Sequence, residues 1–312
     1  MPRNLPDEPR PRDPNSTPTI AERRRLLDVN RAAAMFYRRE LLRAKKSWAR
    51  TYLTDAGVGE VLDPGSSWAI GYAPDSRSRL VDSLRSRGFD LASVRNAGLG
   101  LLDPDDRTID RLRDHLILPA RNERLETVGF IGMRTTTAPY YMASPASQVY
   151  RRSNALVGVA EQLDLLSEGA VPVLVNHPVD ALAVERISRL SIGRWAGIPL
   201  CDTLLSVQQA ALLARYTSAD TAIVAVPHAA AAQRAATGFL DDLNRFFPRI
   251  WAVELPSMFP DGPPHDDQTA QQALHDALLV TRPLSDYRRP KQRRPRRQDG
   301  PASEAPGHGP EL

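Results

Sequence analysis

Two rhythms of apolar positions divide the chain. From Leu26 through Val29, Ala33, Phe36 and Leu41 the apolar residues recur at helical spacing. Thr19 and Glu22 stand just before them at the interval of a capping box, which predicts a long first helix. Residues 47–118 read as short helices joined by turns, punctuated by Gly57, Asp63-Pro64-Gly65, Gly71, Gly88, Gly98 and Gly100. LILPAR (116–121) and TVGFIGM (127–133) have strand character and flank the polar loop Asn122–Glu126, so they predict a hairpin.

From about residue 160 the pattern becomes an alternation of strands and helices. VPVLVN (171–176), RWAGIPL (194–200), TAIVAV (221–226) and RIWAVEL (249–255) are predominantly apolar runs of strand length. Helical patterns follow them over 179–191, 206–216, 229–246 and 267–280. Such alternation predicts a parallel sheet covered on both faces. The fold class is therefore α/β: a mixed α+β N-terminal lobe over 19–159, then a parallel sheet flanked by helices over 160–283. Working residues of such sheets lie past the carboxyl ends of the strands. That singles out Asn176-His177, Cys201-Asp202, Pro227-His228 and the stretch after Leu255.

Charge changes the picture at the ends. The formal net charge is +4, but Arg288–Arg297 (RRPKQRRPRR) holds seven basic residues and no acid. Without it, 34 basic residues face 37 acidic ones, a formal −3. Residues 1–18 are expected to form a flexible arm and 284–312 a basic disordered tail, both too poor in apolar groups to offset ordering entropy. The tail suits a sequence-independent grip on phosphates, or simply keeps the chain in solution. A second concentration of charge lies on the first helix, at Arg23, Arg24, Arg25, Arg31, Arg38, Arg39, Arg43, Lys45 and Lys46. It reads either as a solvated face or as a face near nucleic acid.

No apolar run is long enough to span a bilayer and no apolar leader opens the sequence, so a cytoplasmic protein without a membrane role is expected. The single cysteine, Cys201, excludes an internal disulfide and a cysteine-based zinc site, and its apolar setting marks a packing residue. A phosphate-cradling glycine loop of the P-loop type is absent, which argues against an ATPase.

Several segments, in order and spacing, resemble the catalytic core of bacterial DnaG-type DNA primases over about residues 21–283. They are RRRLLDVNRAAAMFYRREL (23–41), AIGYAP (69–74), DRLRDHLILPARN (110–122), VGFIGMR (128–134), APYYMASPAS (138–147), YRRSNALVGV (150–159) and VPVLVNHPVDALAV (171–184). The resemblance implies a Toprim domain in the second half and a replication function in primer synthesis. Phosphoryl transfer there needs divalent cations, and Mg2+ takes carboxylate oxygens. The Toprim pattern supplies a glutamate after the first strand, paired aspartates after the third and further acids after the fourth.

Here the first position falls on Asn176, with His177 beside it, and the aspartate pair falls on Pro227 and Ala229. Asp180 is kept, and Asp266 and Asp267 lie near the later acids. The resemblance thus implies a degenerate metal site and a relative that does not polymerise by the family's mechanism. Among template-contacting positions, Arg134 matches a basic one, Arg152 a lysine, and Arg111 and Arg113 stand near others, while Arg151 adjoins Arg152. Tyr140, Ala56, His115 and Ala143 replace an expected lysine, arginine, arginine and asparagine. The zinc-ribbon and helicase-binding domains of full-length primases have no counterpart in the sequence.

Three functions remain open. The first is a primase-derived protein without chemistry of its own that binds single-stranded DNA or a replication partner through its N-terminal lobe, with Arg111, Arg113, Arg134, Arg151 and Arg152, and its basic tail. The second is an active nucleotidyltransferase using Mg2+ or Mn2+ on displaced ligands such as Asp180, Asp202, Asp266 and Asp267. The third is a scaffold for a replicative helicase or an intact primase. His177 and His228 could also rebuild a transition-metal site, though two imidazoles without a third ligand make a weak one. Asp180 and Asp202 serve equally well as supports of helix N-termini.

Overall fold

The computed structural model describes residues 13–135, 140–191, 194–201, 205–226, 229–255 and 268–288. Helix α1 (Ile20–Arg43) begins as the capping box predicts. Glu22 N–H donates to Thr19 Oγ1 at 3.2 Å, and Thr19 N–H to Glu22 Oε2 at 2.8 Å. Its apolar stripe, including Leu26, Val29, Ala33, Phe36 and Leu41, is buried.

The region after α1 departs from the expected run of helices. Helices α2 (Trp48–Asp55), α3 (Arg79–Ser86) and α4 (Leu91–Asn96) are present, but strands β1 (Gly71–Ala73), β2 (Gly100–Leu102) and β3 (Thr108–Asp110) lie among them. β1 is the edge of a four-stranded antiparallel sheet, ordered β1-β4-β5-β6, with β4 (His115–Arg121), β5 (Thr127–Met133) and β6 (Tyr141–Ala143). β4 and β5 form the predicted hairpin. β2 and β3 pair as a separate ribbon. Strand β1 lies tight on α1: a Cβ on Gly71 would sit 2.5 Å from Tyr37 Cβ and 2.6 Å from the Tyr37 carbonyl carbon. Only glycine allows that approach.

The second half is the predicted α/β unit. Strands β7 (Val171–Val175), β8 (Trp195–Pro199), β9 (Thr221–Val226) and β10 (Arg249–Glu254) are parallel. The sheet order is β11-β10-β9-β7-β8, with β11 (Arg282–Pro283) antiparallel at the edge. Preceded by the short helix α5 (Leu163–Ser167), the strands are joined by α6 (Pro178–Leu190), α7 (Val207–Tyr216) and α8 (Ala229–Leu243), and α9 (Gln268–Leu279) follows β10.

One apolar core crosses between the halves, joining Leu53, Trp68, Ile70, Leu116 and Ile131 to Val173, Val179, Ile187 and Ile223. Trp68 Nε1 donates to Glu185 within it. At the ends, ordered structure reaches into both expected tails. Residues 13–16 make a turn whose carbonyls and side chains accept from Gln148 and Arg151. After β11, a 3-10 turn (Leu284–Arg288) buries Leu284 completely. The rest of both expected tails, 1–12 and 289–312, lies outside the described residues.

Candidate nucleic-acid interface

The carboxyl edge of the parallel sheet is shaped by the ends of β7 and β8. Asn176 is exposed, and its carbonyl accepts from Cys201 N–H at 3.0 Å. Cys201 is buried and adopts a left-handed φ of 52°, turning the chain sharply after β8. His177 is the N-cap residue of α6 without a side-chain cap bond. Its ring stacks on Tyr141, with centroids 5.9 Å apart, and Nδ1 lies 2.5 Å from the Tyr141 hydroxyl. Asp180 occupies the first turn of α6, where a negative charge favours the helix dipole. Burial, reinforced by the Asp180 charge, pushes the Tyr52 phenol well above its usual range.

The donor set among the described residues does not fit Mg2+. At the ends of β7 and β8 it comprises a neutral amide at Asn176, an imidazole engaged with Tyr141, and one carboxylate, Asp180; Glu254, at the end of β10, accepts from the Tyr287 hydroxyl at 3.1 Å. Among the described residues no group of three potential ligands clusters anywhere. Ala229 opens helix α8, and alanine has no side-chain ligand atom. Pro227, His228, Asp202, Asp266 and Asp267 lie outside the described residues.

The basic residues singled out from sequence are scattered in environment. Arg134 donates to the carbonyls of Asp114, at 3.3 Å, and Arg113, at 2.5 Å. Arg151 holds the N-terminal segment through Pro14 O, at 2.7 Å, and Asn15 Oδ1, at 2.9 Å, and also donates to Ser147 O. Arg152 donates to Leu200 O at 2.5 Å. These three guanidinium groups are therefore engaged by the protein's own oxygens, and each ties two chain segments together. Arg113 is exposed, and Arg111 is half-buried. His115 is a core residue: burial, with the Arg134 charge, pushes its imidazole below the usual histidine value.

A stronger positive surface runs along α1. Three arginines of that helix have structural work. Arg23 pairs with Glu126; Arg25 bonds Gly88 O at 2.7 Å and Asp90 at 3.3 Å; and Arg38 bonds the carbonyls of Val61, Ile70 and Asp63 at 2.9, 3.2 and 2.6 Å. Arg24, Arg31, Arg39 and Arg43 are exposed on the neighbouring face. Opposite them, the tip of the β4–β5 hairpin presents exposed Arg124. Between helix and hairpin lies a groove of about 980 Å3 whose lining includes Leu27, Met35 and Leu42. Sequence reasoning named the α1 charges but missed Arg124 and the groove. The signal available was Arg124 itself, in a loop otherwise assigned only to joining two strands.

Comparison with known proteins agrees with this architecture. Residues 36–163 match the model of the DNA primase catalytic core, N-terminal domain. The DNA primase of Listeria monocytogenes is 25% identical over 218 residues, 69% of this chain and 33% of that protein. The DNA primase of Halalkalibacterium halodurans is 28% identical over 246 residues, 78% of this chain and 39% of that protein. The chain thus spans a third or slightly more of these relatives. The RNA polymerase domain of Mycobacterium tuberculosis primase DnaG superposes with a TM-score of 0.67 at 23% identity, covering 85% of this chain and 86% of that one. A DnaG primase catalytic domain bound to single-stranded DNA gives 0.65 at 22% identity, covering 86% and 82%.

Proposed function

The chain is a relative of the DnaG-type DNA primase catalytic core, and from that premise we propose that it is a replication protein that binds single-stranded DNA with its primer-forming chemistry impaired. In this reading the parallel-sheet unit is a Toprim domain whose metal site has decayed, and the protein works in the cytoplasm. The observation that carries the binding role is the α1 groove, where Arg24, Arg31, Arg39, Arg43 and Arg124 surround an open channel. From Arg24 to Arg43 the helix rises about 28 Å, enough for several consecutive phosphates. Guanidinium groups suit phosphate oxygens, and such contacts position a strand without reading its sequence.

The impaired chemistry follows from side-chain identity. Asn176 brings no charge, and Pro227 and Ala229 bring no side-chain oxygen, where a polymerising centre needs carboxylates for Mg2+. In the described part of that edge, His177 is held by Tyr141. A primer-synthesis assay on the purified chain, with ribonucleotides, template and either Mg2+ or Mn2+, should yield no oligomers; their appearance would overturn the inactive reading.

The binding role predicts a salt dependence. Five arginine–phosphate contacts give a slope of about −3.5 in log K against log salt for single strands. Reversing Arg24, Arg31 and Arg39 to glutamate should flatten that slope by about 2 and weaken an oligo-dT complex more than tenfold at low salt. An unchanged slope would place the strand elsewhere. A second reading, docking of a replicative helicase or an intact primase, is favoured by one feature: Met35 is 57% exposed in the middle of the arginines. In that case Met35→Lys would weaken partner binding while leaving oligo-dT affinity equal or higher.

A further inference from the structure

We infer that the pocket between the β2–β3 ribbon and residues 145–148 is a binding site for a phosphate group. It has a volume of about 330 Å3 and shares no lining residue with the α1 groove. Its polar lining is Arg95, Arg111, Asn96, Ser147 and Gln148, with the backbone at Gly98 and Gly100; no carboxylate lines it.

The charge balance points to an anion. Arg111 is half-buried, and its Nε is shut off from solvent without meeting an acceptor. Burial alone pushes this guanidinium below the ordinary arginine value. Arg95 is 8% exposed, and Nη1 is fixed by Thr108 Oγ1 at 2.7 Å, so a second guanidinium is already oriented at the same wall. The neighbouring acids face elsewhere. Asp110 accepts from the N–H groups of Leu80 and Val81 at 2.8 and 2.9 Å, and Asp103 is taken by Arg77 and the turn at 105–107.

A cation withdrawn from water without a counter-charge is costly, and an incoming anion removes that cost. The planar fork of arginine matches the oxygens of a phosphate better than it matches a spherical halide. The backbone shapes the cavity to suit. Gly98, at φ +75°, lies so close to Pro145 that a Cβ would sit 2.9 Å from the ring, which closes one wall. Pro14 forms the lip, and Arg151 holds it there. The size is at the small end of ligand pockets, so it holds a phosphate and little more. Two sources share this chemistry: a free phosphate ester, or the 5′-terminal phosphate of a nucleic-acid strand.

The test uses the whole chain and inorganic phosphate as the probe, at constant ionic strength against chloride. About 10 mM phosphate should raise the melting temperature of the unmodified protein by ~2–4 °C. Arg111→Gln should melt at or above the unmodified protein in chloride, because it removes the uncompensated charge, and should lose the response to phosphate. Arg85→Gln, on the exposed side of α3, should respond in full. A melting temperature indifferent to phosphate, or an equal rise in the Arg111→Gln protein, overturns the proposal. Competition with 5′-phosphorylated and 5′-hydroxyl oligo-dT then separates the sources. Several-fold tighter binding of the phosphorylated strand assigns the site to a strand end, and equal binding beside a retained phosphate response assigns it to the free anion. Because the α1 charge reversals leave this pocket intact, its failure and the failure of the groove are read independently.

Discussion

Asp110 offers a stability experiment in which two known effects oppose one another. Its carboxylate is 2% exposed and accepts from the first backbone N–H groups of α3, Leu80 at 2.8 Å and Val81 at 2.9 Å. Those bonds favour the charged form, but desolvation is the larger influence and raises the pKa to about 6, against an ordinary 3.8. A carboxyl raised in this way costs stability wherever the unfolded chain ionises and the folded one resists. Below pH ~4 both states are protonated and the cost vanishes; it grows between pH ~4 and ~6 and is complete above that. Two pKa units correspond to about 3 kcal/mol. Asp110→Asn removes the charge but sets one amide N–H against a backbone N–H, a loss of roughly 1–3 kcal/mol at every pH. The variant should therefore be clearly less stable than the unmodified protein near pH 4.5 and close to equal near pH 7. Urea unfolding across that interval measures it. A stability difference that stays level with pH, or one that widens toward neutrality, would show that the backbone donors outweigh desolvation and that the argument from burial is wrong.

Two other perturbations follow from the packing. Gly71→Ala drives a methyl group into the backbone of α1 at Tyr37, and should cost ~3 kcal/mol, at the upper end for overpacking, read as a lower urea midpoint. Trp68→Phe removes the indole donor from Glu185, whose carboxyl burial already raises above the usual range. The cost should be about 1–3 kcal/mol near pH 7 and should shrink as the pH falls and the raised carboxyl takes up its proton, since a neutral carboxyl tolerates the loss better; a cost that stays level as the pH is lowered would refute it.

The long elements were legible because each carries a repeated signal. α1 has its capping box and apolar stripe, and the strands from Val171 to Glu254 are mainly apolar runs separated by helices. The strands β1, β2, β3 and β6, at three residues each, carry no period at all, and their pairing is decided by partners far along the chain, as Gly71 with Ile117. Charge was legible as composition but not as availability. Arg23 and Arg24 are neighbours in sequence, yet one is engaged by Glu126 and the other faces solvent. For the same reason Arg134, Arg151 and Arg152 stood out in the sequence as one patch, while in the structure each ties chain segments together through backbone carbonyls.

The core shared through Trp68, Leu116, Val173 and Ile223 has a mechanical consequence. The parallel sheet is the buttress on which the N-terminal lobe rests, so the lobe could not keep its shape if the sheet were deleted. A substitution in that common interior is therefore felt by both halves, whereas one on the exposed rim, where Asn176 stands, leaves the support of the lobe untouched.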